Sequence, residues 1–144
     1  MLARTAVSLR RQLHHLIAGS LWSLLAYLLG ARPFGGAIWG GVVAGPIVGM
    51  AVGAMLQGPF ERTSGARRGA VALLSLYVAG TLFGLGVGIA DWQRRGGGRS
   101  VDALGEIMVQ GVVGIWWGMT VSSFVLFLWP LAYGTHWLLE WLDR

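Results

Sequence analysis

Four long apolar stretches, separated by short charged segments, make up most of this chain. An apolar helix of about 20 residues spans the roughly 30 Å hydrocarbon layer of a bilayer. The pattern therefore predicts an all-α fold: a polytopic membrane protein forming a single membrane domain over residues 1–144. The predicted transmembrane helices are 13–29, 34–56, 70–90 and 107–129.

The segments between these stretches contain helix-ending residues and charges. The first stretch follows Arg4, Arg10 and Arg11, a basic leader that also resembles the start of a secretory signal peptide. A cleavage site needs small residues, which the end of this stretch supplies poorly, so we expect an uncleaved first helix. Pro33 leaves room for a tight turn only, so the first two helices should be antiparallel neighbours, and Pro130 should kink or end the fourth.

The last nine residues, 136–144, differ in character from the apolar stretches. At helical spacing, Trp137 and Trp141 share one face with two leucines, while Glu140 and Asp143 lie on the other. A helix with one apolar and one charged face tends to lie in the plane of the membrane interface. The tail is therefore predicted to be a C-terminal interfacial amphipathic helix.

Composition agrees with a membrane environment. Hydrophobic residues make up 55% of the chain and charged residues 12%, with a mean hydropathy of +0.63, whereas soluble domains carry about a quarter charged residues. All eleven basic residues are Arg, and they fall mainly between the apolar stretches. This distribution favours membrane lipids over nucleic acid as the partner of the positive charge.

Arginine placement also predicts orientation. Cytoplasmic segments carry the excess of basic residues, and seven of the eleven arginines fall on the side that would hold both termini. The use of Arg with no Lys is typical of a GC-rich genome, so we expect a multi-pass protein of a bacterial inner membrane with both termini in the cytoplasm. The seven are Arg4, Arg10, Arg11, Arg62, Arg67, Arg68 and Arg144; the other four are Arg32, Arg94, Arg95 and Arg99.

Small residues recur at every fourth position in three of the predicted helices. Residues at this spacing share one helical face, and a face without side chains allows a second helix to approach closely. Packing within one four-helix bundle and contact between subunits both remain open. Pro46, among these glycines, should bend the second helix. The predicted helix-packing or oligomer-contact residues are Gly36, Gly40, Gly41, Gly45, Gly49, Gly53, Gly80, Gly84, Gly88, Gly114, Gly118 and Ser122.

Reactive chemistry is sparse in this sequence. There is no Cys, no charged residue lies deep in a predicted span, and no known catalytic or metal-binding motif occurs. We therefore predict no catalytic residue, no metal site and no cofactor. Gln110 is the most polar side chain expected within the membrane, where interhelical hydrogen bonding is the ordinary role of such a group. Ligation of haem or a pigment by His14, His15 or His136 is less favoured, because all three lie at predicted helix edges.

These patterns favour a non-enzymatic function. The expected role is a small integral membrane subunit that packs against, stabilises or helps assemble a larger membrane complex. Its partners would be other membrane protein subunits or copies of itself. The alternative is a small oligomeric channel or carrier with a pathway formed by the glycine-faced helices.

Overall fold

The computed structural model describes residues 2–28, 38–94 and 123–144, together with Gly105, 108–109, 112–114, 116–117 and Thr120. Four helices have defined bounds: α1 (Leu2–Leu28), α2 (Ile38–Arg62), α3 (Gly65–Arg94) and α4 (Phe124–Leu142). The described residues between 105 and 120 are also helical, and no strand occurs in the described part of the chain. The prediction of an all-α fold is confirmed.

The first helix is longer than the apolar pattern indicates. α1 runs for 27 residues from Leu2 and includes the basic leader that the apolar pattern places before it. The leader is rich in Leu, Ala and Arg, which rank among the best helix formers. The apolar pattern marks where a helix can meet lipid, whereas the helix itself extends as far as its residues favour the conformation.

The second helix continues beyond its predicted end at position 56. α2 passes through Gln57 and Pro59 and ends at Arg62. A proline inside a helix removes one backbone hydrogen bond and costs about 3 kcal/mol. Burial of the Phe60 side chain, which is completely shielded from solvent, and the hydrogen bonds between Gln57 and His136 offset this cost.

A two-residue turn joins α2 to α3. The Thr63 hydroxyl donates to the carbonyl of Pro59 at 3.0 Å, or to that of Phe60 at 3.1 Å, which satisfies a free carbonyl at the end of α2. Gly65 then takes a φ of +55°, a left-handed conformation that glycine adopts without steric cost. The turn therefore sends α3 back alongside α2.

The predicted fourth helix, 107–129, is wrong in its bounds. Ser123 interrupts it with a left-handed φ of 56°, and α4 then continues from Phe124 through Pro130 to Leu142. The separate amphipathic tail predicted at 136–144 is likewise absent as a unit, because most of it forms the last turns of α4. Burial of Ala132, His136 and Leu139 against the other helices keeps α4 continuous across the proline.

The helices pack mainly with their neighbours in sequence. α1 packs on α2, α2 on α3 and α3 on α4, while α4 makes smaller contacts with α1 and α2. The buried apolar side chains come from α2, α3 and α4. They are Val52, Leu56, Phe60, Ala72, Leu76, Ala132 and Leu139.

One helical stretch among the described residues, Gly65–Gly86, is long and apolar enough to cross a membrane by length and composition. It covers 22 residues. At a rise of 1.5 Å per residue this corresponds to about 33 Å, close to the thickness of the hydrocarbon layer. The core helix of a soluble protein passes the same test.

Candidate binding site

Charged side chains from all four helices meet at one end of the bundle. They come from the N-terminal half of α1, the end of α2, the start of α3 and the end of α4, and oppositely charged residues pair between helices. We call this group the charged cluster. Its charged members are Arg11, Glu61, Arg68, Glu140 and Asp143, and His14 is bonded to Asp143.

Arg11 links three helices within this cluster. Its guanidinium bonds to Glu61 of α2, and its Nε lies 3.1 Å from Oδ2 of Asp143 beyond the end of α4. His14, one turn further along α1, shares Asp143 through a 2.9 Å contact between Nδ1 and Oδ1. The hydrogen bond with Glu61 is the main cause that raises the pKa of Arg11 above its ordinary value, although partial burial opposes it. Arg11 therefore remains charged at any physiological pH.

Arg68 ties α3 to the same end. It pairs with Glu140, and its guanidinium carbon lies 4.3 Å from the centre of the Phe60 ring. A guanidinium over an aromatic face gains a cation–π contribution of about 0.5–2 kcal/mol, more when water is excluded. Arg144 also reaches Glu140, at 2.7 Å, from a solvent-exposed position.

A buried amide and a buried histidine lie beside the charged cluster. Nδ1 of His136 donates to Oε1 of Gln57 at 2.7 Å, and the Gln57 amide donates to the backbone carbonyl of His136 at 3.2 Å. Phe60 stacks on the His136 ring with the ring centres 4.9 Å apart. The pair fixes the end of α4 against α2 through reciprocal hydrogen bonds.

Burial determines the protonation state of His136. Removal of the ring from water is the main cause that lowers the pKa of His136 from 6.5 to about 4, and the electrostatic interaction with His15 is a smaller cause. The ring is therefore neutral at pH 7. With Nδ1 donating to Gln57, the neutral ring keeps Nε2 as a hydrogen-bond acceptor.

His15 is the second buried histidine, on α1. Its side chain is 5% exposed, and Nδ1 donates to the Arg11 carbonyl at 2.7 Å. Its Nε2 is buried without a hydrogen-bond partner. A buried polar group without a hydrogen-bond partner costs about 1–3 kcal/mol.

An apolar cavity of about 230 Å³ lies between the four helices, next to the two histidines. Its wall consists mainly of glycine, alanine and aliphatic side chains. Trp22 and Thr135, which bond to each other at 3.2 Å, join α1 to α4 along it. The lining residues are His15, Ala18, Gly19, Trp22, Ser23, Gly45, Val48, Gly49, Val52, Gly53, Ser75, Leu76, Ala79, Gly80, Phe83, Leu128, Ala132, Thr135, His136 and Leu139.

Glycines bring α1 and α2 into direct backbone contact on one side of this cavity. A Cβ on Gly49 would lie 2.5 Å from the Cα of Gly19 and 2.7 Å from the carbonyl oxygen of His15. A Cβ on Gly45 would overlap the Ser23 side chain, and one on Gly53 would overlap the His15 ring. Three of the predicted packing glycines therefore face α1 of the same chain.

Comparison of this chain with protein-family models, curated proteins and solved structures found no match. The case for a function therefore rests on the side chains described above. The three relevant features are the charged cluster, the two histidines and the apolar cavity.

The other predicted contact residues fall in several places. Gly80 and Gly84 are buried in α3, and Gly80 lines the cavity. Gly114 is exposed, and a Cβ there would meet no neighbour. Gly40, Gly41 and Gly88 lie within α2 and α3, but their surroundings are not described. Gly36, Gln110, Gly118 and Ser122 lie outside the described residues.

The sequence patterns do not single out Gln57, Glu61 or Glu140 as a group. They place Gln57 and Glu61 in a loop after the second helix, and Glu140 on the polar face of a separate tail. A usable signal is present, because the acidic residues at 61, 140 and 143 all fall on the side predicted to hold most arginines. Acidic residues among an excess of arginines can pair across helices once those helix ends meet.

No group of three or more His, Asp or Glu side chains that could hold a metal ion occurs among the described residues. The described polar side chains next to the cavity are His15, Trp22, Ser23, Ser75, Thr135 and His136. The arrangement can therefore bind an apolar molecule and orient it through a small number of hydrogen bonds.

Proposed function

We propose that this chain is a small non-enzymatic membrane subunit whose outer apolar surface is covered by lipid and by other membrane proteins. The supporting observation is the amount of apolar surface that the bundle leaves uncovered. The role is to pack against, stabilise or help assemble a larger membrane complex.

The uncovered surface is continuous along α1. Leu13, Ile17, Leu21 and Leu24 recur at spacings of three and four residues, and each is at least 47% exposed. At that spacing they form one stripe along the helix. A protein in water rarely exposes a contiguous apolar surface of this kind, because hydration of such a surface is unfavourable.

The final helix exposes an even larger apolar surface. Phe127 is 76% exposed and Leu126 64%, and further large side chains follow along the helix. Tryptophan at such positions is typical of the boundary between lipid and water. The further exposed residues of α4 are Trp129, Leu131, Trp137, Leu138 and Trp141.

Four membrane spans, both termini in the cytoplasm and location in a bacterial inner membrane form part of this proposal. The charged cluster supports it, because Arg11, the α2–α3 turn and Asp143 lie at the same end of the bundle. An up-and-down arrangement of four spans requires these segments to share one side of the membrane. Their excess of Arg agrees with the cytoplasmic side.

Single-cysteine labelling tests this topology cleanly, because the chain contains no Cys. Ser64→Cys places a thiol in the exposed α2–α3 turn, and Gly97→Cys places one in the next segment between apolar stretches. With a membrane-impermeant maleimide on spheroplasts, we expect labelling of Gly97→Cys alone, and labelling of both after lysis. Labelling of both before lysis, or release of the chain from membranes by alkaline carbonate, contradicts the proposal.

The subunit role is tested by purification in a mild detergent from native membranes. We expect the chain to elute in a particle several times its 15.4 kDa mass, with the same partner subunits identified by mass spectrometry in repeated preparations. Ile17→Arg places a charge on the exposed stripe and should release these partners, with Gln12→Arg as the matched control on α1. Loss of partners in both variants, or in neither, contradicts a contact through this stripe.

The alternative of a small oligomeric channel or carrier is supported by one observation. Glycines 45, 49, 53 and 80 line the central cavity, so small residues on two helices leave open space inside the bundle. A purified homo-oligomer that passes a solute in liposomes would favour this alternative over the subunit role.

A further inference from the structure

A second space in the molecule lies between α1 and α4. These two helices make only small contacts with each other, and a volume of about 330 Å³ remains between them. α1 contributes side chains from His14 to Leu25, and α4 contributes side chains from Leu131 to Leu142. The wall is almost entirely apolar. We call this space the α1–α4 groove.

The α1–α4 groove is open to the surroundings of the bundle. Four of the aliphatic side chains that line it remain 45% to 60% exposed, namely Ile17, Leu21, Leu131 and Leu138. Contiguous apolar surface of this kind marks a place where an apolar group binds. The groove therefore calls for an apolar occupant.

The length of the groove matches one leaflet of a bilayer. At 1.5 Å per residue, the lining segment of each helix rises by roughly 16 Å, and one leaflet is half of a hydrocarbon layer of about 30 Å. One end of the groove lies at the charged cluster, because His14 is bonded to Asp143 there. An acyl chain along the groove would thus stay within the leaflet whose headgroups lie at the charged cluster.

A positive charge lies at this same end of the groove. Arg10 is exposed, and its guanidinium donates to the carbonyl of Leu142 at 2.9 Å. A guanidinium carries five N–H donors, so this bond leaves others for an anion. Each carboxylate of the charged cluster is already paired with other basic side chains, and none of the described carboxylates pairs with Arg10. The counter-charge for Arg10 can therefore come from a bound molecule.

We propose that the α1–α4 groove holds an anionic phospholipid, with one acyl chain between the two helices and the phosphate group on the guanidinium of Arg10. Burial of the chain supplies affinity, and arginine binds phosphate through charge-assisted hydrogen bonds. A zwitterionic headgroup brings its own positive charge and leaves that of Arg10 unbalanced. This proposal rests on the proposed membrane location, since the acyl chain comes from the bilayer.

The test uses the purified, delipidated full chain in a mild detergent, with native mass spectrometry to count bound lipids. The probes are phosphatidylglycerol and phosphatidylcholine with identical acyl chains, and inorganic phosphate. We expect phosphatidylglycerol to bind about 5-fold more tightly than phosphatidylcholine, the contribution of one arginine near an anionic headgroup, and inorganic phosphate not to displace it. Equal affinities of the two lipids overturn the proposal, and displacement by phosphate would assign the charge to a free anion instead.

Arg10→Gln tests the headgroup contact, since it removes the charge at an exposed position. We expect the affinity for phosphatidylglycerol to fall about 5-fold, to that for phosphatidylcholine, whose own affinity should not change. Arg67→Gln is the matched control, because Arg67 is also exposed but does not line the groove. An unchanged preference in Arg10→Gln, or equal losses in both variants, overturns the role of Arg10.

Leu138→Trp tests the acyl-chain contact by placing a larger side chain in the groove. Leu126→Trp makes the same change at an exposed position of α4 that does not line the groove. We expect Leu138→Trp to weaken the binding of both lipids by about 5-fold or more, because the ring occupies part of the groove, and Leu126→Trp to leave it unchanged. The same affinities in both variants overturn the assignment of the chain to the groove.

Failure of this proposal is distinguishable from failure of the membrane location. Alkaline carbonate extraction and cysteine labelling test the membrane location in the unaltered groove. A chain that stays in the membrane in those experiments but shows no preference for phosphatidylglycerol overturns the lipid site alone.

Discussion

The α1–α2 contact and the attachment of α4 show two different ways to hold a helix. α1 and α2 meet backbone to backbone at Gly19 and Gly49, where neither helix has a side chain. α4 is held to α1 and α2 by polar side chains, and a cavity lies beside these contacts. The α1–α2 contact depends on the absence of side chains, so we expect pH and salt to leave it unchanged. The attachment of α4 depends on hydrogen bonds and ion pairs, whose strength changes with pH and salt concentration.

The largest effect is expected from Gly49→Ala, which attacks the α1–α2 contact. The added Cβ would lie 2.5 Å from backbone at Gly19, so the two helices must separate along their length. We expect a loss of about 3 kcal/mol in the free energy of unfolding, measured by denaturant titration in micelles.

Gly58→Ala is the matched control in the same helix, because a Cβ there meets nothing within 4 Å. Alanine favours a helix over glycine by about 1 kcal/mol, so this variant should be at least as stable as the unaltered chain. Similar losses in both variants would show that the close contact of α1 and α2 contributes no special stability.

Gln57→Leu attacks the attachment of α4. It removes both hydrogen bonds to His136 and leaves the buried Nδ1–H of that residue without an acceptor. We expect a loss of about 2 kcal/mol in the same titration. Gln12→Leu, at an exposed position of α1, should change the stability by less than about 0.5 kcal/mol.

Acidification should also weaken the attachment of α4 while sparing the α1–α2 contact. The pKa of His136 is about 4 in the folded chain and 6.5 when the ring is exposed to water, so the unfolded chain binds more protons between these values. The contribution of His136 is therefore fully present above about pH 6.5 and is lost as the pH falls towards 4. The expected decrease from pH 7 to pH 5 is on the order of 1–2 kcal/mol.

His136→Gln separates this contribution from that of the carboxylates. Thermal unfolding of both proteins is compared at pH 7 and pH 5, and the variant should show a smaller dependence on pH. An identical dependence in the two proteins would assign the acid sensitivity to groups other than His136.

The smallest effect is expected at the exposed edge of the charged cluster. Arg68 and Arg144 both pair with Glu140, but their side chains are 18% and 74% exposed. Arg144→Gln should change the stability by less than about 0.5 kcal/mol, since exposed ion pairs contribute little. Arg68→Gln should cost more than about 1 kcal/mol, because it also removes the contact with Phe60. Equal losses of stability in the two variants would contradict the expectation that the more buried ion pair contributes more.

Helix formation was predictable from the sequence, whereas the helix ends were not. Apolar stretches identify α1, α2 and α3 because a continuous apolar run of this length favours a helix in lipid. The sequence could not show that α2 crosses Pro59, since the compensation comes from Gln57 and Phe60 meeting α4, a contact distant in the chain. Nor could it show the break at Ser123, because serine gives no local signal for a left-handed conformation.

The glycine pattern illustrates the same limit for the candidate site. Spacing of four places Gly45, Gly49 and Gly53 on one helical face, which is a property of the sequence. The tertiary structure decides which helix packs against that face, and here the helix is α1. In the sequence, His15 and His136 lie near the ends of apolar stretches, so the pattern places them at helix edges. In the structure, both side chains are buried inside the bundle.

The break at Ser123 has a mechanical consequence for α4. This helix is joined to the preceding residues by one left-handed residue at its start and is fastened through Glu140 and the neighbouring Asp143 at its far end. Between these two points, Thr135 is bonded to Trp22 of α1 and His136 to Gln57 of α2. The side-chain bonds of α4 are therefore concentrated towards its C-terminal end, while its first turn follows directly on the break in the helix.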